Sequence, residues 1–267
     1  MNTTTNLSLL SVIVRTMGRD MELLKKAVNS IYKSSYPNIE VILVFQGIDN
    51  ALFGRMKNDV GSLFPKKMIH FVQHKTTTDE RSKNLNLGLA AANGDFIAFL
   101  DDDDFVAPVH YENLIAAIRK NNSSMAFCIA KVVDEKGNPK TGLFKGRFID
   151  KLSFYKDNFI TINSFVVTRK AVERLNLKFD ERLQLAEDYL FLLPLFMNET
   201  VSFVRDRTCY YRIVSNESQS FTTYEQSGER AEQYALLKTL RRPYKPSLFQ
   251  KLIMLVKRRM GLVYKVA

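Results

Sequence analysis

The sequence is short of cysteine and of long apolar runs. Its two cysteines, Cys128 and Cys209, lie in apolar or aromatic stretches. We therefore expect buried free thiols rather than a disulfide framework, as suits a reducing cytoplasm. The N-terminal residues are polar, and Arg15 interrupts the apolar run that follows them, which argues against a signal peptide. Every apolar run is shorter than the roughly 18–20 residues that cross a bilayer, so we expect a cytoplasmic protein.

Acidic residues are absent from the C-terminal segment. After Glu232 the chain has no Asp or Glu but nine Lys and Arg residues, while the formal net charge of the whole chain is +11. The rest of the chain is therefore nearly neutral. A basic segment of this kind indicates contact with an anionic surface.

Apolar and basic residues are interspersed over residues 248–266. An amphipathic helix of this composition can lie on an anionic bilayer, which would make the protein a peripheral one at the inner face of the plasma membrane. It can equally pack its apolar face on the rest of the protein and leave its charges in water. The two alternatives are compatible, and both stay open at this point.

Strand-like and helix-like stretches alternate along the chain. Buried β-branched runs indicate strands, and apolar residues at helical spacing indicate helices. Apolar strands that alternate with helices predict an α/β protein with a mostly parallel sheet flanked by helices. Ligands of such sheets bind beyond the carboxyl ends of the strands. The predicted strands are residues 9–15, 40–45, 69–72, 96–100, 125–133, 161–168 and 208–214, and the predicted helices are residues 21–34, 51–63, 82–92, 108–121 and 187–197.

Four consecutive aspartates, at positions 101 to 104, follow the predicted strand 96–100. Neighbouring carboxylates raise each other's pKa by repulsion, and a bound divalent cation relieves that conflict. Hard oxygen ligands suit Mg²⁺ or Mn²⁺, which bind through one or two carboxylates and substrate phosphates. The alternative is a solvated acidic loop that caps the next helix. The position at the end of a buried strand favours metal and substrate binding.

Three stretches of the chain together resemble a known family. Residues 10–31 have the form of a first strand, a nucleotide loop and a helix. Residues 81–110 hold an Arg and an Asn-x-Gly helix start before a strand that ends in Asp-x-Asp, and residues 179–191 hold a Glu-Asp pair. In this order and at these spacings they resemble family 2 glycosyltransferases of the GT-A fold, over roughly residues 8–220.

The resemblance implies a GT-A, Rossmann-like catalytic domain over residues 1–222. Its nucleotide-sugar half would cover about residues 1–105 and its acceptor half about residues 106–222, followed by a basic helical C-terminal extension over residues 223–267. The implied reaction is inverting transfer of a sugar from a UDP-, dTDP- or GDP-sugar to a polysaccharide, oligosaccharide or lipid-linked acceptor, as in bacterial surface glycan synthesis. The implied cofactor is Mn²⁺ or Mg²⁺.

The same resemblance assigns roles to individual residues on the donor side. Asp103 would be the principal metal ligand, with Asp101 at the donor ribose or the metal and Asp104 assisting. Arg81 would contact the donor near its nucleotide or phosphates. The remaining residues assigned to the nucleotide-sugar site are Thr16, Arg19, Gln46 and Asp102.

Glu187 and Asp188 open the predicted helix 187–197. Acidic residues at a helix N-terminus stabilise the helix dipole, by about 0.3–1 kcal/mol each, which is the purely structural interpretation. The resemblance instead implies that Asp188 is the general base for the acceptor hydroxyl. Glu187 would orient that base or bind acceptor hydroxyls.

The chain departs from the family pattern at two places. Phe45 and Gln46 stand where relatives usually carry aspartates that bind the base; the Gln46 amide oxygen can accept a hydrogen bond from a pyrimidine N–H. No histidine follows Tyr210, Tyr211 and Arg212, where relatives often have one.

Two alternatives to the glycosyltransferase interpretation stay open. One is a non-catalytic GT-A-like binding module. The other, a nucleic-acid-binding protein, is disfavoured because the basic residues lie in an apolar-rich segment.

Overall fold

The computed structural model describes residues 7–140, 144–213 and 229–266. The predicted boundary between residues 222 and 223 lies outside these ranges. The strands are β1 (Leu10–Thr16), β2 (Ile39–Gln46), β3 (Met68–His74), β4 (Phe96–Asp101), β5 (Phe105–Val106), β6 (Met125–Phe127), β7 (Lys131–Val133), β8 (Pro139–Lys140), β9 (Phe165–Thr168), β10 (Val201–Phe203) and β11 (Cys209–Arg212). The helices are α1 (Met21–Tyr32), α2 (Asn50–Leu63), α3 (Arg81–Ala91), α4 (His110–Asn121), α5 (Lys151–Lys156), α6 (Arg169–Arg174), α7 (Glu187–Asn198), α8 (Glu229–Leu240) and α9 (Leu248–Arg259), with a 3₁₀ turn at Arg242–Tyr244.

A mostly parallel sheet forms the centre of the fold, with the strand order β10-β6-β9-β4-β1-β2-β3. β1 pairs in parallel with β2 and β4, and β2 pairs in parallel with β3. β9 runs antiparallel to both β4 and β6. A smaller sheet has the order β5-β11-β7-β8. The predicted α/β fold with a mostly parallel sheet is confirmed.

Helices cover both faces of the large sheet. Along β1, Ile13 belongs to the core on the α3 and α7 side, while Val12 and Val14 belong to the core on the α1 and α4 side. A side chain at Gly88 of α3 would meet the side chain of Ile13, with the closest atoms 2.3 Å apart. This glycine lets α3 lie close against β1 and β2.

Several predicted elements were wrong in extent. Residues 125–133 form β6 and β7, which belong to different sheets, because residues 128–130 leave the large sheet between them. The predicted strand 161–168 is reduced to β9, since residues 161–164 form a turn closed by the Ser164 N–H and the Thr161 carbonyl, 3.0 Å apart. The helix expected from Pro108 starts at His110, because residues 107–110 form a turn closed by the His110 N–H and the Ala107 carbonyl, 3.0 Å apart.

Both cysteines are buried free thiols, as predicted. The two sulfur atoms are 3.6 Å apart, well beyond the roughly 2.05 Å of a disulfide bond. Within the described part of the chain, each helix is too short or too polar to cross a membrane.

The C-terminal segment folds back onto the body of the protein. α9 ends before Gly261, which has a φ of 69° and provides the left-handed residue that commonly terminates a helix. Beyond it, the backbone of Val266 bonds with Gly146 and Arg147, and Tyr264 accepts from Ile149 at 2.9 Å. The expected continuous helix over residues 248–266 is therefore wrong in its last part.

Candidate active site

The carboxyl ends of the parallel strands meet at one edge of the large sheet. β1 ends at Thr16, β2 at Gln46, β3 at His74 and β4 at Asp101. β1 lies between β2 and β4, so the loop after β1 borders both the Gln46 side and the aspartate run. The predicted site residues thus collect at the edge where ligands of α/β sheets bind.

Asp101 is held by an arginine on the neighbouring strand. Arg15 and Asp101 are paired in the β1–β4 register, and the guanidinium donates from Nε to Oδ1 at 2.8 Å and from Nη2 to Oδ2 at 3.2 Å. Burial opposes the charge, but the carboxylates of Asp101 and Glu187 raise the pKa of Arg15. Arg15 is therefore a fixed cation at the site, in the two-pronged geometry that makes such pairs strong.

Asp102 and Asp103 lose their protons less readily than an aspartate in water does. The Thr16 hydroxyl donates to Asp102, while burial and the charge of Asp101 raise the pKa of Asp102. Burial and the charges of Asp101 and Asp102 raise the pKa of Asp103 to about 6. The Asp103 carboxyl group, with its pKa near 6, therefore changes its protonation state in mild acid.

Asp104 turns into the protein. It is 2% exposed, and its carboxylate accepts hydrogen bonds from the Asn163 amide and the Arg212 backbone N–H, both at 2.8 Å. Burial, with a further contribution from Asp103, raises the pKa of Asp104 well above its usual value. A buried, repelled carboxylate of this kind is stabilised by any nearby positive charge.

Three carboxylates of the run form a group that fits a divalent cation. One oxygen from each of Asp101, Asp103 and Asp104 lies within 4.8 Å of the others. An all-oxygen donor set of this kind suits Mn²⁺ or Mg²⁺. These are the three residues predicted as metal ligands, and the fold brings them together.

Gln46 is part of an internal hydrogen-bond network. It is 2% exposed, and its amide nitrogen donates to the Thr78 carbonyl at 2.8 Å. Its amide oxygen accepts from Asn84 and from the Glu80 backbone N–H. Direct contact between Gln46 and a donor base would require this network to open, so the side chain here orders the loop between β3 and α3.

The remaining predicted donor residues border the same edge. Arg81 is the first residue of α3 and pairs with Asp79, with Nε 3.3 Å from the carboxylate. Arg19 is exposed in the loop between β1 and α1. An open groove of about 700 Å³ lies beside Gln46, lined by Gly47, Ile48, Asp49, Asn50, Lys75, Thr76, Thr77, Thr78 and Glu80.

Glu187 and Asp188 form the first turn of α7. Ala186 precedes them in a left-handed conformation with φ 56°, an uncommon state for a residue with a side chain. The Asn158 amide donates to Asp188 at 3.3 Å. Burial and the adjacent Glu187 raise the pKa of Asp188 to about 7, which suits a general base working near neutral pH.

The aspartate run and the Glu187–Asp188 pair influence each other's charge, and both influence Arg15. Burial raises the pKa of Glu187, while the charges of Arg81 and Arg15 oppose this and that of Asp101 adds to it. Asp101 also contributes to the raised pKa of Asp188. The predicted donor-side and acceptor-side acids, far apart in sequence, thus share one electrostatic environment.

The family model described as glycosyl transferase family 2 matches residues 11–175. This match contains the first strand, the aspartate run and most of the elements that form the site. The chain belongs to glycosyl transferase family 2.

Among curated family 2 relatives is the poly(ribitol-phosphate) beta-N-acetylglucosaminyltransferase TarS of Staphylococcus aureus. It is 26% identical over 203 residues, covering 75% of this chain and 35% of TarS. The chain therefore spans about a third of the length of this relative.

Two solved glycosyltransferase structures show the same fold. S. aureus TarS 1-349 in complex with UDP-GlcNAc has a TM-score of 0.64 at 22% identity, covering 80% of this chain and 61% of that one. Mannosyltransferase PcManGT from Pyrobaculum calidifontis, in complex with GDP-Man and Mn²⁺, has a TM-score of 0.62 at 16% identity, covering 97% and 81%. At these identities the likeness shows the GT-A fold alone.

In this member of family 2, sequence reasoning missed the residues that hold the acids in place. Arg15 was read only as a break in an apolar run, although its register on β1 sets it beside Asp101. Asn163 and Asn158 lie in loops whose positions no local pattern gives. Burial and the charges of Asp104, Asp101 and Asp188 raise the pKa of Tyr211, which sequence reasoning did not assign to the site.

Proposed function

We propose that this protein is an inverting, metal-dependent glycosyltransferase that moves a sugar, of the hexosyl type, from a nucleoside diphosphate donor to a glycan or lipid-linked acceptor. The observation that carries the proposal is the group of three carboxylates, from Asp101, Asp103 and Asp104, at the carboxyl edge of the sheet. Membership of family 2 supports transfer of a sugar.

The aspartate run forms the donor side. Asp103, Asp101 and Asp104 would hold Mn²⁺ or Mg²⁺, which supplies positive charge to stabilise the leaving diphosphate. Arg81, at the start of α3, would bind a donor phosphate, since a guanidinium matches phosphate geometry. Thr16, Arg19 and Asp102 would border the nucleotide, and the groove beside Gln46 offers space for its base. Because TarS and PcManGT have been solved with UDP-GlcNAc and GDP-Man, a nucleotide-sugar donor is the ligand to expect.

Asp188 forms the acceptor side. In the proposed reaction its carboxylate takes the proton of an acceptor hydroxyl as that oxygen bonds to the anomeric carbon of the sugar. The bond between that carbon and the diphosphate oxygen breaks on the opposite face, and the nucleoside diphosphate leaves with the bonding electrons, so the configuration inverts. Asn158 would orient Asp188, and Glu187 would position the base or bind acceptor hydroxyls.

The acceptor and the place of action are part of the proposal. We infer a polysaccharide, oligosaccharide or lipid-linked acceptor, in the synthesis of bacterial surface glycans, by analogy with the polymer-modifying relative TarS. The site elements lie within the proposed catalytic domain of residues 1–222, with residues 223–267 as an extension. Action in the cytoplasm, at the inner face of the plasma membrane, would bring the enzyme to a lipid-linked acceptor.

Metal binding should weaken in mild acid. The raised pKa of Asp103, about 6, means that protons compete with Mn²⁺ for its carboxylate as the pH falls through this value. We expect the dissociation constant for Mn²⁺ to rise by about tenfold per pH unit below about pH 6. Calorimetric titration of the protein with MnCl₂ from about pH 8 to about pH 5 measures this; an affinity that does not change with pH would contradict the role of Asp103.

Nucleoside diphosphates should stabilise the protein when metal is present. A ligand at about 100 times its dissociation constant adds about 2.7 kcal/mol to the free energy of unfolding, which corresponds to a rise in melting temperature of about 5–10 °C. A thermal-shift panel of UDP, dTDP, GDP, ADP and CDP, with Mn²⁺ and with EDTA, tests the proposal. We expect one base to stabilise the protein strongly and EDTA to remove the effect; no response to any member would refute the donor-site assignment.

A further inference from the structure

The outer face of α9 is apolar. Five of its side chains are between 48% and 83% exposed, and their spacing places them on one side of the helix. A surface helix of a globular protein normally turns such a face toward the core, and a contiguous exposed apolar patch marks an interaction site. The five residues of this outer face are Leu248, Phe249, Leu252, Leu255 and Val256.

The opposite side of α9 attaches the helix to the protein through a cation. Arg258 donates to the buried carboxylate of Asp150 at 2.6 and 2.8 Å and to the Ser153 hydroxyl at 2.7 Å. Its guanidinium also lies 4.5 Å from the centre of the Phe148 ring. Met254, one turn before Arg258 on the same side, is also half-buried, so the packing alternative considered from the sequence applies to this side of the helix and not to the outer face.

Both ends of α9 are fixed by residues of this protein itself. Ser247 and Gln250 form a capping box at its start, and Gly261 ends it. The residues that follow are tied to the body by the pairing of Phe148 with Lys265. The helix and its outer face are therefore already in place before anything docks, and docking does not have to pay for ordering it.

The charges around the outer face of α9 favour a negatively charged partner. Lys257 and Arg259 are exposed on α9, and residues 233–266 contain no acid at all. A second copy of this chain would bring the same positive charges into contact, which is unfavourable. An anionic bilayer provides an apolar interior for the five side chains and negative headgroups for the basic ones.

We propose that the outer face of α9 docks on the surface of an anionic lipid bilayer, with the helix lying along the membrane plane. The docking follows from α9 alone and does not depend on the proposed reaction. The relation of the docked helix to the active site does depend on the proposed reaction. α5, to which α9 is attached, is followed by Asn158, which bonds to Asp188. In a docked enzyme, α5 and Asn158 would connect the membrane-bound helix to Asp188, which lies on α7.

Vesicle sedimentation of the full chain tests the docking. Vesicles of phosphatidylcholine with phosphatidylglycerol should bind the protein, and vesicles of phosphatidylcholine alone should bind it much less. The double variant Leu252→Gln/Leu255→Gln should bind anionic vesicles at least about tenfold more weakly, because two buried leucines are lost from the bilayer. Lys257→Gln/Arg259→Gln should bind more weakly and show a smaller response to added salt.

Matched controls separate docking from folding. Leu63→Gln removes a leucine that is 52% exposed on α2, and Lys136→Gln removes an exposed charge from a distant loop; both should bind vesicles as the unchanged protein does. Melting temperatures of the α9 variants should not fall, because the substituted side chains are exposed. Substitution is used rather than truncation because Val266, at the far end of the segment, is buried.

Three results would overturn the docking. The first is no sedimentation of the unchanged protein with anionic vesicles at low salt. The second is equal binding by Leu252→Gln/Leu255→Gln. The third is a concentration-dependent dimer that this double variant abolishes without vesicle binding, which would make a second copy the occupant. The thermal response to a nucleoside diphosphate, measured on the same samples, stays intact in each case if the proposed function holds.

Discussion

Replacing Asp188 by Asn should lower kcat by about 10²-fold or more, the usual scale for loss of a general base. The amide keeps the size of the side chain but cannot take the acceptor proton. The raised pKa of Asp188, about 7, also means that kcat of the unchanged enzyme should rise with pH through about 7, as the carboxylate becomes ionised. That rise should disappear in Asp188→Asn. Steady-state kinetics over this pH range, with a water-soluble acceptor and the donor found by the thermal-shift panel, measure both effects.

The binding of donor separates a lost base from a damaged site. Because Asp188 lies on the acceptor side, the affinity for the nucleoside diphosphate should change little in Asp188→Asn. Asp180→Asn, which neutralises an acid paired with Arg182 in the preceding loop, is the matched control and should retain activity. If Glu187→Gln loses activity while Asp188→Asn keeps it, the roles of the pair are reversed.

Asp103→Asn should abolish the Mn²⁺-dependent binding of a nucleoside diphosphate. It removes one of three carboxylates that lie within 4.8 Å of one another, and hard cations bind poorly when a charged oxygen ligand is lost. Calorimetry with the nucleoside diphosphate and Mn²⁺ measures the effect. Asp59→Asn, an exposed acid on α2, is the control, and unchanged affinity in Asp103→Asn would remove Asp103 from the metal site.

The same variant should be more stable than the unchanged protein when metal is absent. The pKa of Asp103 is raised from 3.8 to about 6 in the folded state, so its contribution to stability is complete below about pH 4 and is lost as the pH rises through about 6. At about pH 8 the ionised carboxylate therefore costs free energy of unfolding, and the neutral amide removes that cost. Melting curves in EDTA from about pH 8 to about pH 4 should show that the higher melting temperature of Asp103→Asn is largest at about pH 8, smaller at about pH 5 and lost at about pH 4.

The part of the fold that was predicted correctly from the sequence is the part that depends on local sequence patterns. β1, β2 and β4 are runs of consecutive buried residues, each followed by a loop and a helix, so their order and their common carboxyl edge follow from chain direction alone. The aspartate run is found at that edge because it directly follows β4. The Glu-Asp pair was located through family resemblance, since by itself it looks like an ordinary helix start.

The remainder depends on contacts that no local pattern encodes. β5, β7 and β11 are two to four residues long and exist only because each finds its partners in the small sheet. The environment of Asp104 comes from Asn163 and from the backbone of Arg212, which are brought in by distant loops. At Gln46 a local signal is overridden by the tertiary structure. Its amide could bind a base, but the amide nitrogen and oxygen are both already bonded to residues that follow β3.

The pairing of residues 146–149 with residues 264–266 bears on how the protein is made. Domains form in order as the chain leaves the ribosome, with N-terminal parts first, and β1 to β4 contain the pairing partners they need for one another. Phe148, by contrast, can pair only after Lys265 has been synthesised, and Asp150 can form its ion pair only after Arg258 has been synthesised. A nascent chain can therefore complete the sheet edge that carries Asp101 while α9 is still unattached. Attachment of α9 through Asp150 and Arg258 would therefore follow the formation of that sheet edge.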